Sequence, residues 1–233
     1  MKDSLKYFYW RFFLHISFPN KRLRYSNLKS LFNYIQSTFL PALNNPCNSP
    51  TLKKTFRSKG AKHWPMIEKD IIDEIIFRTD NPRNRLMLEL MARGGMRIGE
   101  VLNLCPIDCK GCKLYLSGTK SGKETEIVFI PQKISDRLKE YIQYTGLKPQ
   151  SRIFPISYTA AWSIVVKAGN LVGIHLRPHD LRRHAATYAS RSGTPIEIIS
   201  KVVLRHSNLS TTQRYLGKVS DTEAMRWIEN LYG

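Results

Sequence analysis

His179 and Arg182 stand three residues apart, a spacing that places both side chains on one face of a helix. Arg182 and Arg97, the second just after the diglycine Gly94-Gly95, carry planar forks that can each donate paired hydrogen bonds to the nonbridging oxygens of a phosphodiester. Such a clamp neutralises charge that develops at a phosphoryl centre. The centre also needs a nucleophile, and the sequence offers no Ser-His-Asp arrangement, Walker loop or carboxylate metal cluster. Tyr215 is the available hydroxyl. A tyrosine titrates near pH ~10 in isolation, so attack at neutral pH requires cationic neighbours and a proton acceptor. Arg97, Arg182 and the histidines would supply them. Taken singly these residues are ordinary, since a helix-start arginine usually caps or faces solvent and a tyrosine usually packs. Their combination and order carry the weight.

The elements that must position these residues are mostly helical. In the first part of the chain, Leu28, Leu31, Phe32, Ile35 and Phe39 recur at helical spacing and predict a helix over 27–39 with one apolar face. Pro41, Asn44-Asn45-Pro46 and Ser49-Pro50 then stop it. The basic stretch Lys53, Lys54, Arg57, Lys59 and Lys62 follows and reads as an interdomain linker, either a solvated tether or a segment lying along phosphates. From His63 the pattern predicts helices over 68–78, 83–93 and 97–104, then two strands, 113–117 and 126–130, joined by a Gly-rich hairpin tip that displays Lys120 and Lys123. Further helices are expected over 134–144, 159–167 and 179–191. Another begins at Thr194-Pro195-Ile196-Glu197, where Thr194 and Glu197 could form a capping box. The reading is mainly α with a small antiparallel β-sheet (α+β), divided at 1–62 and 63–233.

Composition bounds the partner. The 233 residues hold 37 Lys and Arg against 18 Asp and Glu, a net charge of +19. Residues 1–62 alone carry 12 basic residues and one acid. So large an excess points first to nucleic acid, then to an anionic membrane surface, then to acidic proteins. No apolar run is long enough to span a bilayer, because Arg11 and His15 interrupt even the aromatic stretch Tyr7 to Phe18, and no secretory cleavage site follows it. A cytoplasmic protein is expected. Four cysteines imply no disulfide framework. Cys105, Cys109 and Cys112 could hold zinc with Cys47 or a histidine, but the spacing lacks a second knuckle. They read as small packing residues, and neither metal nor cofactor is expected.

Two segments resemble the signature boxes of the tyrosine recombinases, the phage-integrase family: Arg177-Pro178-His179-Asp180-Leu181-Arg182-Arg183-His184, and Leu204-Arg205-His206-Ser207-Asn208 through Thr211-Thr212-Gln213-Arg214-Tyr215. The first family box is matched by Gly95-Met96-Arg97-Ile98-Gly99-Glu100, and the family's hairpin lysine by Gly118-Thr119-Lys120-Ser121-Gly122. The resemblance covers about residues 63–233. It implies that Arg97 and Arg182 clamp the phosphate and that Tyr215 attacks it, leaving a 3′-phosphotyrosyl bond and a free 5′-hydroxyl. It makes Lys120 the general acid, with Lys123 as rival, and has His179 assist proton transfer while His206 hydrogen-bonds the phosphate. Glu100 matches a supporting position that buttresses Arg97 by an i,i+3 salt bridge.

The resemblance further implies a site-specific recombinase of a mobile genetic element, acting in DNA integration or excision without metal or ATP. Its partners would be double-stranded DNA, other protomers in a tetrameric synapse and a DNA-bending accessory protein, all at the nucleoid in the cytoplasm. The departures are at the front, where 1–62 is short for the family's helical core-binding domain and reads as part of one. At Arg205 the family commonly has glycine. The C-terminal residues 221–232, with Ala224, Trp227, Ile228 and Leu231, read as a helix that packs in cis or against a neighbouring protomer. The other readings are a DNA-binding relic that no longer recombines and an activity that only relaxes DNA.

Overall fold

A computed structural model describes residues 18–57, 66–117, 125–216 and 221–232. Lys120, Lys123, the aromatic start Tyr7 to Phe13, and the side chain of Tyr215 lie outside the described residues. The chain divides between Lys62 and His63 into two compact units.

In the first unit, helix α1 (Phe18–Thr38) begins nine residues before the predicted start at Asn27. A single 3₁₀ turn (Pro46–Asn48) and helix α2 (Pro50–Thr55) follow it. The stretch read as a linker is therefore partly folded: Pro46 and Pro50 sit at helix first turns, where a missing N–H costs nothing. Asn45 holds the turn by accepting from the Cys47 N–H (2.8 Å) and donating to Lys29 O (3.1 Å) and Asn33 Oδ1 (2.7 Å). Tyr25 donates to Cys47 O (2.9 Å) and stacks on Phe56, with ring centroids 4.6 Å apart. The predicted apolar face is only partly covered, since Leu31 and Phe39 are more than half exposed.

The second unit is built around α4 (Pro82–Arg93), whose residues 86–92 are all buried. A helix apolar on nearly every face must run through a core. Asn81 caps it by accepting from the Asn84 N–H (3.1 Å). Helix α3 (Lys69–Phe77) contributes Ile72, Ile75 and Ile76. Helix α5 (Ile98–Asn103) and a 3₁₀ turn (Pro106–Asp108) lead into the sheet. It has three antiparallel strands, β1 (Cys109–Lys110), β2 (Lys113–Ser117) and β3 (Thr125–Phe129), in that order. The register pairs Leu114 with Val128 and Leu116 with Glu126, so Glu126 occupies an inward position and is buried. Strand β1 was not expected, because two residues are too few to show a period.

Helices α6 (Gln132–Thr145), α7 (Tyr158–Asn170) and α8 (Pro178–Arg191) complete the body of the unit. Helix α9 (Ile196–Ile198) runs directly into a π turn (Ile199–Val203). The capping box expected at Thr194 and Glu197 is not formed. Pro195 itself, extended at φ −55° and ψ 139°, is the residue before the helix, which leaves Thr194 one position too early to cap. Helices α10 (Leu209–Leu216) and α11 (Asp221–Tyr232) end the described chain. On α11, Met225 and Ile228 are well exposed, while Trp227 lies over Gly193 just beyond α8. No helix among the described residues is long and apolar enough to cross a membrane.

Candidate active site

Arg97 is the residue before α5 and holds an extended backbone, φ −74° and ψ 146°. Glu100 Oε2 accepts from the Arg97 N–H (2.8 Å), and Glu100 Oε1 pairs with the Arg97 guanidinium. One carboxylate thus caps the helix and orients the side chain that precedes it. The expected Arg97–Glu100 salt bridge is present.

Arg182 lies one turn inside α8 and is 1% exposed. Its Nη1 donates to Gly95 O and its Nη2 to Leu204 O, so two carbonyls from distant loops fix the plane of the fork. Gly95 can lie this close only as glycine: φ is 59°, and an added Cβ would stand 2.8 Å from Val203 O. His179 shares the face of α8 with Arg182, as its spacing requires, but its ring is open to solvent. Loss of hydration on the protein side, then Arg182, Arg183 and Arg97, hold His179 below the ordinary histidine value. Arg97, Glu100, His179 and Arg182 line one cavity of about 440 Å³, with Tyr115 and Tyr158.

His206 follows the π turn and is half-buried. Its Nδ1 lies 3.0 Å from Thr212 Oγ1, and with that hydroxyl assigned as donor to Ser200 Oγ (2.9 Å) its oxygen accepts from the ring. Desolvation, reinforced by Arg182, Arg97 and Arg205, lowers His206 to about 4. The imidazole is neutral at pH 7. Tyr215 sits three residues after Thr212 in the last turn of α10.

Arg205 was singled out in the sequence only as a departure from the family, and the structure gives it a place in the site. Its φ is 52°, alone among described non-glycine residues in the left-handed region, a cost of roughly 1 kcal/mol or more. The side chain is buried and donates to Glu100 Oε2 (2.6 Å) and Val203 O (2.9 Å), while Nε stands 3.5 Å from Glu126 Oε2. Burial raises the Glu100 carboxyl, but Arg205 and then Arg97 outweigh it and hold the group below the usual carboxylate range. Glu100 pairs with Arg97 and Arg205, Glu126 lies beside Arg205, and Arg97 and Arg182 both line the cavity, where their forks can take an anion.

The cysteines are not gathered for metal: no group of three metal-capable side chains occurs among the described residues. Cys47 is buried, whereas Cys105, Cys109 and Cys112 are half-buried rather than enclosed. Desolvation, then Asp108 and Cys105, push the Cys109 thiol up to about 12, which makes it a poor nucleophile and ligand.

Residues 66–221 match the phage integrase family. The chain belongs to that family. It is 31% identical over 215 residues to a tyrosine recombinase of Pseudothermotoga lettingae, covering 88% of this chain and 72% of that one. Tyrosine recombinases are site-specific DNA strand transferases, and their fold is the one described above. The XerH site-specific recombinase bound to palindromic difH substrate superposes with a TM-score of 0.72 at 20% identity, covering 98% of this chain and 70% of that one. The Tn1549 transposon integrase in complex with circular intermediate DNA superposes with a TM-score of 0.65 at 17% identity, covering 93% and 81%. Both are likenesses of fold. Arg97, Glu100, His179 and Arg182, four of the residues that carry the sequence resemblance, all line the cavity.

Proposed function

We propose that this recombinase cleaves double-stranded DNA with Tyr215 and rejoins it to a second strand. What carries the reading is the convergence of Arg97 and Arg182 on one cavity, each fork fixed from behind, by Glu100 or by two backbone carbonyls. The forks bind the nonbridging oxygens of the scissile phosphate and stabilise the charge of the pentacoordinate transition state. Tyr215 Oη forms a bond to phosphorus as the bond to the 5′-oxygen breaks. His179 assists removal of the phenolic proton, and Lys120 protonates the departing 5′-oxygen, a role that suits an ammonium better than an arginine. His206 hydrogen-bonds the phosphate. The tyrosyl ester keeps the phosphodiester energy, so a 5′-hydroxyl can reseal the strand without ATP.

Attack by a 5′-hydroxyl from another duplex exchanges strands, which requires paired sites and several protomers, with a DNA-bending protein where the sites must be brought together. The exposed Met225 and Ile228 of α11 suit contact with a second protomer. The basic first unit suits the backbone of duplex DNA as a partial core-binding domain, and the natural substrate is a mobile element in the nucleoid.

The test is covalent trapping on nicked suicide duplexes drawn from the DNA flanking the protein's own gene, without Mg²⁺ or ATP. An SDS-resistant complex that Tyr215→Phe abolishes is expected. Tight binding with no covalent product would instead mark a DNA-binding relic.

A further inference from the structure

We propose that Arg205 is a positioning residue for strand cleavage: its buried guanidinium sets Glu100, and through it Arg97, and ties this clamp to strand β3. The inference rests on the recombinase reading of the cavity. Arg205 does not line the cavity; it stands behind Arg97 and Glu100, which do.

An arginine held at φ 52° and 7% exposed is an expensive arrangement unless its side chain has partners. Two carboxylates from separate elements provide them, Glu100 from α5 at 2.6 Å and Glu126 from β3 at 3.5 Å. Glu100 is thereby fully engaged, with Oε1 on the Arg97 guanidinium and Oε2 on the Arg97 N–H and on Arg205. Arg205 also reaches Gly95 O at 3.4 Å, the carbonyl that receives Arg182. Both phosphate-directed arginines therefore share acceptors with a third that faces away from the phosphate.

Strand β3 is the other end of the link. Glu126 is the second residue of β3 and pairs with Leu116, one step from the Ser117–Thr125 pair that closes the ladder. Between those two residues runs the segment that bears Lys120. Without Arg205, the carboxylates of Glu100 and Glu126 would be left close together in a buried site with the intervening cation gone. Glu100 would turn away, and the Arg97 fork with it. The charged groups that act on Glu100 are Arg97, the residue before its helix, and Arg205 after the π turn, so its protonation reports directly on this network.

The experiment compares wild type, Arg205→Gly, Arg205→Lys, Glu126→Gln and the double variant Arg205→Gly/Glu126→Gln. Glycine suits the left-handed backbone, so Arg205→Gly removes the guanidinium without adding strain. Covalent trapping on nicked suicide duplex at saturating DNA is expected to slow about tenfold to a hundredfold in Arg205→Gly, as for a misplaced reacting group. Its Kd for that duplex should stay within about threefold, because Arg205 itself makes no phosphate contact and only the Arg97 fork is displaced. The acid limb of the trapping rate should move to higher pH as Glu100 loses its cation. Arg205→Lys should recover part of the rate, and so should the double variant, which removes one of the two opposed carboxylates.

Urea unfolding of the same proteins reads the link apart from activity: Glu126→Gln should lower the midpoint in wild type and raise it beside Arg205→Gly. Equal trapping by wild type and folded Arg205→Gly, or a Glu126→Gln effect of the same sign in both backgrounds, would overturn the proposal. An Arg205→Gly protein that fails to fold moves the comparison to Arg205→Lys, where an unchanged rate and acid limb would overturn it equally. A wild-type protein that traps nothing sinks the recombinase reading and this role together. The unfolding cycle then says whether the tie between α5 and β3 stands without it.

Discussion

Arg182 and Arg205 donate to the same acceptor, the carbonyl oxygen of Gly95. Two guanidiniums meet at one oxygen because Glu100 and Glu126 lie beside Arg205 and offset its charge. The meeting point also requires that Gly95 remain free of a side chain, since its Cβ would strike Val203 of the π turn.

Gly95→Ala should therefore destabilise the protein by about 2 kcal/mol or more, through a strained φ and a 2.8 Å clash with Val203 O. Gly99→Ala is the control. Gly99 lies on α5 with nothing within 4 Å of an added Cβ, so alanine there should leave stability unchanged or raise it by about 0.5 kcal/mol. Urea denaturation of the two variants checks the contrast.

The two clamp arginines should differ when each is replaced by lysine. Arg182 is fully buried and satisfies two carbonyls at once, which an ammonium on a flexible stem cannot do in that geometry. Arg182→Lys is expected to cost about 2 to 4 kcal/mol of stability as well as trapping activity. Arg97 is about a third exposed at the cavity. Arg97→Lys should lower trapping by about a hundredfold with little change in the unfolding midpoint.

How much of this was legible depends on distance along the chain. The Arg97–Glu100 pair is an i,i+3 relation across the start of one short helix, which the resemblance and the spacing together place. Strand β2 was delimited correctly, and its Leu114 and Leu116 are buried at alternate positions. The ion pair of Arg205 with Glu126 joins residues far apart, and no local pattern foretells it. Two signals were available: an acid at 126 in phase with the inward Val128 and Ile130, and an arginine at 205 where the family commonly has glycine. Neither means much until the fold brings them together. The start of α1 was missed because Pro19, Lys21 and Arg22 carry no apolar period. Tyr215 was reached by elimination and by resemblance and Lys120 by resemblance, and the side chains of both lie outside the described residues.

Acidification should destabilise the free protein in a definite window. His179, His184 and His206 all titrate below the ordinary 6.5 in the folded state, His206 at about 4. Between about pH 4 and 6.5 the unfolded chain binds more protons, so stability rises with pH through this window and is lost as pH falls. Glu100 and Asp73, held below their ordinary carboxylate values, contribute stability that is lost only at still lower pH. His206→Asn should flatten the slope of the unfolding midpoint between pH 6.5 and 4, measured at constant ionic strength.

A DNA phosphate in the cavity reverses the balance at His206. The ring is desolvated and lies near Arg182, Arg97 and Arg205, and a phosphate would offset their charge and raise its pKa, so binding should take up a proton and tighten as pH falls from about 6.5 toward 4. Thr212 sets how that proton is used. With its hydroxyl given to Ser200, its oxygen accepts from Nδ1–H, and the neutral ring presents Nε2 as a bare lone pair. Such a ring can donate to a phosphate through Nε2 only once protonated. Thr212→Val keeps the shape and removes the acceptor, which frees the neutral ring to carry its proton on Nε2. This variant should lose about 1 to 2 kcal/mol of stability through the buried Ser200 contact. Its duplex affinity should vary less with pH than that of wild type, while Thr211→Val, one residue away, should leave both properties unchanged. Binding isotherms across that pH range at fixed salt decide the matter, and an unaltered pH dependence in Thr212→Val would refute the tautomer assignment.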